Sequence, residues 1–394
     1  MKVAFIGQKG IPTIAGGVEK HVEQLSVKLA AMGHKVFVYV RNNYTDKNLK
    51  EYKGVHLIHL PSISSKNLDA ISHTFLATIH SLFQGYDVIH YQAIGPSSLS
   101  FLVKIFNPKT ALVATFHCQD YFHQKWSWLA KQYLHFGEYM TCKVPDRTIA
   151  VGKNLTEYAE KKYERKIDYI PNGADVQINS NTQVLNRWGI RDQRYILFAG
   201  RLIRHKGAHY LIEAFKNLEN TNKLPNNFKL VIVGDGFHTD DYVKYLHSIS
   251  KDHENIIFTK NQTGSALEQI FSHAYLFVQP SESEGLSIAL LEAMGYGRAV
   301  LVSDIPENVE VIGSIGHTFK SRNIADLENK LSHLLNNPEK VVLAGKASQD
   351  WIAKNYSWNS IAEKTSKLYK ELIEKKNPKK NLCLAKARNL ISGK

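Results

Sequence analysis

Short apolar runs, each closed by a glycine, a proline or a polar break, recur along this chain and alternate with stretches of helical spacing. Runs that are apolar at nearly every position suit strands buried on both faces of a parallel sheet. Residues 2–7 form the first run. Residues 18–32 follow with apolar side chains at Val22, Leu25, Leu29 and Ala30, and residues 35–40 form the next run. This βαβ opening predicts a parallel sheet with helices on both faces. Further strands are predicted over 55–60, 88–91, 112–116 and 148–151. A second series begins at 195–199 and continues through 229–233, 256–259, 274–278 and 299–303. Helices are predicted over 207–218, 265–273 and 324–335.

A length of 394 residues exceeds one ordinary core, so two domains are expected. The Pro171-Asn172-Gly173 turn and the polar, aperiodic residues 177–183 separate the two series. The expected fold class is therefore α/β, two Rossmann-like doubly wound domains with a ligand in the cleft between them. The expected boundaries are an N-terminal domain over 1–176, a linker over 177–190 and a C-terminal domain over 191–355. A helix over 356–376 is expected to pack back toward the first domain, ahead of a basic tail over 377–394. That tail is a solvated end or an anion-binding arm, with a helix allowed over 382–391.

Formal net charge is +14, which favours anionic partners. The basic residues are dispersed and no nucleic-acid motif is present, so nucleic-acid binding is not expected. Cys118, Cys142 and Cys383 are far apart, which suits a reducing compartment. Residues 1–7 read as a strand and not as a signal peptide, and no stretch is long and apolar enough to span a bilayer. Membrane contact would be peripheral. The aromatic and basic stretch 121–139 suits a membrane interface, but a helix packed on the sheet is the better reading.

The stretch 279–297 concentrates chemistry. A strand stops at Pro280 and Ser281, Glu284 and Gly285 turn the chain, and a helix is expected from Leu286. Free backbone N–H groups at Gly285, Leu286 and Ser287 would attract an anion. The carboxylates Glu284 and Glu292 would accept from hydroxyls. A nucleotide sugar carries both groups. An ordinary helix with solvated acids is an equal reading of these residues alone. Arg201 and Lys206, around a strand-to-helix loop, offer a planar fork and a point charge to one diphosphate. Gly16 and Gly17 open a helix but match no dinucleotide or P-loop pattern. A flexible entry loop explains that pair better than a ligand site. His117 lies just past a strand end, where such sheets bind ligands.

Taken in order, these markers resemble the retaining glycosyltransferases of family 4, which have the GT-B fold. They are Gly16-Gly17-Val18-Glu19, Pro171-Asn172-Gly173, Gly200-Arg201-Leu202 with Lys206-Gly207, Val233-Gly234-Asp235-Gly236, and Pro280-Ser281 leading to Glu284 and Glu292 in an E-x7-E spacing. Ala93-Ile94-Gly95-Pro96 and Thr115-Phe116-His117 resemble a bacterial, rhamnosyltransferase-like branch. Ser287 stands where many members carry proline or glycine, a change neutral for a helix start.

The resemblance implies a nucleoside-diphosphate sugar donor and a saccharide acceptor in surface polysaccharide assembly, with a lipid-linked acceptor allowed. It implies Arg201 and Lys206 on the diphosphate, Glu284 on the sugar hydroxyls and Glu292 on the ribose. Gly285, Leu286 and Ser287 would meet the donor through their N–H groups. Gly17, with Gly16, would approach the phosphates, and His117 the transferred sugar. Gly234 and Lys260 fall in the donor set, with residues 259–262 flanking the base. No cofactor and no metal are expected, because no D-x-D or H-E-x-x-H occurs. The expected location is the cytoplasm, with the inner face of the cell membrane allowed. Rival readings are a non-catalytic nucleotide-sugar-binding protein and another GT-B enzyme such as an epimerase.

Overall fold

A computed structural model describes residues 1–65, 68–122, 126–236 and 239–376. The basic tail, the helix allowed over 382–391 and Lys125 of the aromatic stretch lie outside the described residues.

In chain order the first elements are β1 (Lys2–Ile6), α1 (Gly17–Ala31), β2 (Lys35–Arg41), β3 (Glu51–Tyr52), β4 (Val55–Leu60), α2 (Leu68–Leu82) and β5 (Val88–Gln92). Next come α3 (Ile94–Ser97), α4 (Ser100–Phe106), β6 (Ala111–Phe116), α5 (Trp128–Lys143), β7 (Arg147–Ala150), α6 (Lys153–Tyr163) and β8 (Asp168–Tyr169). The second series is β9 (Tyr195–Ala199), α7 (Ala208–Asn220), β10 (Lys229–Val233), α8 (Asp240–Ile249), β11 (Ile256–Lys260), α9 (Gly264–Ser272), β12 (Leu276–Gln279), α10 (Ile288–Gly295) and β13 (Ala299–Ser303). It ends with α11 (Pro306–Ile312), β14 (His317–Phe319), α12 (Ile324–Leu335), α13 (Pro338–Asn355) and α14 (Trp358–Lys376).

Two compact units result. The first comprises Met1–Thr13, Val18–Pro171 and the chain from Trp358 on; the second comprises Ile14–Gly17 and Asn172–Ser357.

The first unit is built on an eight-stranded sheet of order β3-β4-β2-β1-β5-β6-β7-β8, parallel except for β3. Alternate residues of each strand feed opposite layers. Val3 and Phe5 of β1 join Val36, Val38 and Val40 of β2 in a layer under α1 and α14. Ala4 and Ile6 join Tyr39, Ile89, Tyr91 and Leu112 in the layer holding Ala77 of α2 and Val103 of α4. Trp358, Ile361, Leu368 and Tyr369 of α14 are buried in the first layer, and Tyr369 Oη lies 2.6 Å from His90 Nδ1. The loop before α1 is tied down. Lys9 N donates to Glu19 Oε1 at 3.1 Å and Thr13 N to Glu23 Oε2 at 2.6 Å. These bonds hold the loop as far as Thr13, short of the Gly16-Gly17 pair. Two acids four apart on α1 anchor it.

In the second unit all six strands are parallel, in the order β11-β10-β9-β12-β13-β14. Strand order reverses between β9 and β12. These two pair only at Ile196 with Leu276 and Leu197 with Phe277, so their carboxyl ends separate. A crevice at such a reversal point is where doubly wound sheets bind ligands.

Candidate active site

The loops leaving β9 and β12 meet at this crevice. Beyond β9, Gly200 N donates to Val233 O and Leu202 N to Asp235 O, both at 3.0 Å, which fixes the backbone on either side of Arg201. The Arg201 side chain is exposed. A single 3-10 turn, Arg204–Lys206, then leads to Gly207, which caps α7 with φ +71°. A Cβ at Gly207 would overlap the Pro280 carbonyl, and one at Gly234 (φ +135°) would overlap the Gly200 carbonyl. Glycine is required at both positions for conformation and for space. These close approaches, with Glu282 N donating to His205 O at 2.7 Å, lock three strand-end loops together.

The result is an ion pair. Lys206 Nζ lies 2.6 Å from both carboxylate oxygens of Glu284, and Ser281 Oγ donates to Glu284 Oε1 at 2.6 Å. The Glu284 side chain is only 6% exposed. Behind it runs a buried polar chain. Ser287 Oγ donates to Gln279 Oε1 (2.6 Å), Gln279 Nε2 to Asn308 Oδ1 (2.6 Å), and Asn308 Nδ2 to Ser303 Oγ (2.9 Å). Ser303 Oγ donates in turn to Ser281 O (2.5 Å). Each member is satisfied by the next, so the network can be buried and it holds the 281–287 loop rigidly. Asn172 Nδ2 adds a bond to Leu286 O at 2.8 Å.

The helix of this stretch begins later than expected. Ser287 has extended backbone and caps α10, which starts at Ile288; the Ser287 hydroxyl accepts from Leu290 N at 3.3 Å. The reason is the preference of serine for the N-cap, which outweighs the helix propensity of Leu286. The N–H groups of Gly285, Leu286 and Ser287 make no hydrogen bond among the described residues. They therefore present donors ahead of the helix and not within its first turn. Similarly, β12 starts at Leu276 and α14 at Trp358, each two residues after the expected start.

Around the pair, Glu282 is held by Arg322 at 2.7 Å and by the Tyr210 hydroxyl at 2.8 Å. Burial holds the Glu307 carboxyl above its ordinary value, with help from the Glu284 and Glu310 carboxylates. Lys260, exposed at the end of β11 with φ +58°, accepts from Gly234 N through its carbonyl at 3.0 Å. Glu292 lies on α10, partly exposed. Arg201, Lys206, Gly234, Lys260, Glu284 to Ser287 and Glu292 thus all belong to the second unit.

Gly16 has φ +110°, and a Cβ at Gly17 would meet nothing within 4 Å. His117, in the first unit, is 6% exposed and its Nε2 lies 2.9 Å from Gln92 Oε1. Burial, then the His21 and His90 rings, hold its pKa well below the usual histidine value, so it is a neutral imidazole.

Sequence reasoning missed Ser303, Asn308 and Glu307, and it gave Gln279 and Ser281 no side-chain role. The available signal was that Gln279, Ser281 and Ser303 lie at or just beyond a predicted strand end, whereas Glu307 and Asn308 lie on the next helix, α11. Among the described residues no group of three or more His, Cys, Asp or Glu is placed to hold a metal ion, and no helix is long and apolar enough to cross a membrane.

Residues 15–178 match the model of Glycosyltransferase Family 4, and residues 182–351 match that of Glycosyl transferases group 1. An uncharacterized glycosyltransferase of Methanocaldococcus jannaschii is 26% identical, over 95% of this chain and 99% of that one. Sucrose-phosphate synthase from Thermosynechococcus elongatus superposes with a TM-score of 0.79 at 20% identity, over 94% of this chain and 98% of that one. Anabaena HepE in complex with UDP-glucose superposes with a TM-score of 0.78 at 17% identity, over 94% and 100%. With two Rossmann-like parallel-sheet units and two family models that together cover most of its length, the chain is a GT-B glycosyltransferase of the group 1 and family 4 kind.

Proposed function

We propose that this glycosyltransferase moves a hexosyl or deoxyhexosyl group from a nucleoside-diphosphate sugar to a saccharide acceptor with retention of configuration. The observation that carries the reading is the convergence at the β9/β12 crevice. There Lys206, Glu284 and three unbonded N–H groups sit on loops locked by glycine contacts and a buried hydrogen-bond chain. In this reading Lys206 and Arg201 bind the diphosphate and offset charge on the departing nucleotide, so no metal is required. The N–H groups of Gly285 to Ser287 take the donor's phosphate or sugar oxygens. Glu284 accepts from the sugar hydroxyls and Glu292 from the ribose. Gly16, Gly17, Gly234 and Lys260 complete the donor set. His117, being neutral, meets a sugar as a hydrogen-bond partner and not as a charge.

Both Glu284 oxygens are engaged by Lys206, which suits a hydroxyl acceptor better than a nucleophile. Retention then follows a same-face course in which the leaving phosphate helps deprotonate the acceptor hydroxyl. The bound UDP-glucose of HepE makes UDP-sugars the first donors to try. We further propose the rhamnosyltransferase-like branch, assembly of a surface polysaccharide and an acceptor carried on lipid at the inner face of the membrane. A thermal-shift panel of UDP-, GDP-, ADP- and dTDP-sugars tests the donor, since a ligand of the folded state raises apparent stability. Conversion of the donor without an acceptor would contradict transfer and favour an epimerase.

A further inference from the structure

The helix α2 is inverted. Its buried side carries His73, Thr74, Ala77, Thr78 and Ser81, while Leu68, Phe75, Leu76 and Ile79 are exposed, followed by Phe83 at 80% exposure. The inward hydroxyls of Thr74, Thr78 and Ser81 are satisfied locally. Thr78 Oγ1 lies 2.7 Å from the Tyr91 hydroxyl, and Thr74 Oγ1 donates to Ala70 O at 2.7 Å. With the partly exposed Ile71, the residues Leu68, Ile71, Phe75, Ile79 and Phe83 follow at three- and four-residue steps, so they form one apolar face. A helix on a water-facing surface places its polar side outward. This one does the reverse, and large exposed apolar patches mark surfaces that are covered in use.

Neighbouring helices extend the patch. The α4 helix packs beside both α2 and α5, on the same side of the sheet. It exposes Ile105 and Phe106, and α5 exposes Trp128, Leu129, Phe136 and Tyr139. The stretch around α5 is thus a packed helix on its inner side only, where Leu134, Gly137 and Cys142 are buried.

Charge selects the occupant. Across residues 68–83, 100–109 and 128–143 the acids are Asp69 and Glu138, paired with Arg41 at 2.6 Å and Lys162 at 2.8 Å. Lys109 and Lys143 are exposed on the same segments, as is Lys104, which pairs with Asp146 just outside them. A second copy of the chain would set Lys109 and Lys143 against lysines, with no acid of these segments left to pair them. An anionic lipid surface supplies both complements, acyl chains for the aromatic and aliphatic side chains and headgroups for the ammonium groups.

We propose that the α2–α4–α5 face docks on an anionic membrane surface. This deepens the reading that the acceptor is carried on lipid, and it rests on that reading for its purpose. Flotation of the full-length protein with vesicles of phosphatidylglycerol and phosphatidylcholine tests it, with no donor or acceptor present. Wild type should float with these vesicles and far less with pure phosphatidylcholine. Phe75→Ser/Phe83→Ser should lower the partition coefficient at least tenfold, as should Trp128→Ser/Leu129→Ser should the first pair not fold. Val342→Ser/Leu343→Ser, equally exposed on α13 of the second unit, should bind as wild type. Equal flotation of all variants overturns the proposal, as does self-association of wild type without vesicle binding. Donor-induced thermal shift, measured on the same samples, is independent of the vesicles. Its absence would sink the transfer reading and leave the flotation result standing.

Discussion

Lys206 and Glu284 are 78 residues apart, yet the Lys206 ammonium sits between both oxygens of the Glu284 carboxylate at 2.6 Å. The two charges satisfy each other in a partly buried setting. A donor that brings its own anion to Lys206 and its own hydroxyls to Glu284 can replace that pair with charge-assisted bonds to both. The pair thus keeps two proposed ligand-binding groups ordered before the ligand arrives.

Removing the cation should cost far more activity than fold. Lys206→Ala is expected to lower kcat/KM by about 10²–10³, the range for losing one preorganised charge-stabilising group. Because Ser281 still bonds Glu284, the melting temperature should move much less than activity does. Steady-state kinetics beside a thermal melt checks this, and near-normal turnover removes Lys206 from the diphosphate.

Asn308 touches none of the proposed donor groups directly, but it links Gln279 to Ser303 within the buried chain. Asn308→Ala should destabilise the protein by about 1–3 kcal/mol by leaving buried polar groups unsatisfied. It should also raise the donor KM as the 281–287 loop loosens. Denaturant titration and kinetics read the two effects separately.

Glycines divide into two kinds. Gly207→Ala would drive a Cβ into the Pro280 carbonyl at a positive φ, so poor folding and no donor binding are expected. Gly17→Ala meets open space and should fold like wild type. A raised donor KM in that well-folded variant would mark ligand approach to the backbone at Gly17.

Several histidines are held neutral by burial. The pKa of His73 and of His209 is lowered to about 4 from 6.5, and those of His90 and His117 also lie well below the ordinary value. The unfolded chain therefore binds more protons, and stability rises with pH up to the unfolded value. It should be fully present above about pH 6.5 and decline toward pH 4, by about 1.4 kcal/mol per pH unit for each such histidine. Urea midpoints across that window measure the slope. A flat profile would mean that these rings are not buried as described.

The strands were legible because parallel strands buried on both faces leave continuous apolar runs. The expected 55–60, 195–199, 229–233 and 299–303 coincide with β4, β9, β10 and β13. Helix α12 was legible from its spacing, but α2 was not. Its apolar stripe faces outward and its inward side is threonine, serine and histidine with one alanine, the reverse of the pattern that burial writes into a sequence. The Lys206–Glu284 pair and the chain from Ser287 to Ser281 depend on which strands are neighbours. Composition and spacing do not carry that order. Ser287 shows a smaller limit, since one capping hydroxyl moved a helix start past an apolar residue that looked helical.

Arg201 and Lys206 are proposed to grip the donor through its diphosphate. Calorimetric titration of nucleoside diphosphates into wild type and Arg201→Ala/Lys206→Ala measures that grip. The best-binding diphosphate should bind at least tenfold more weakly to the variant, while the melting temperature of the unliganded protein changes little. The same Kd in both proteins would mean that the two cations do not hold the diphosphate.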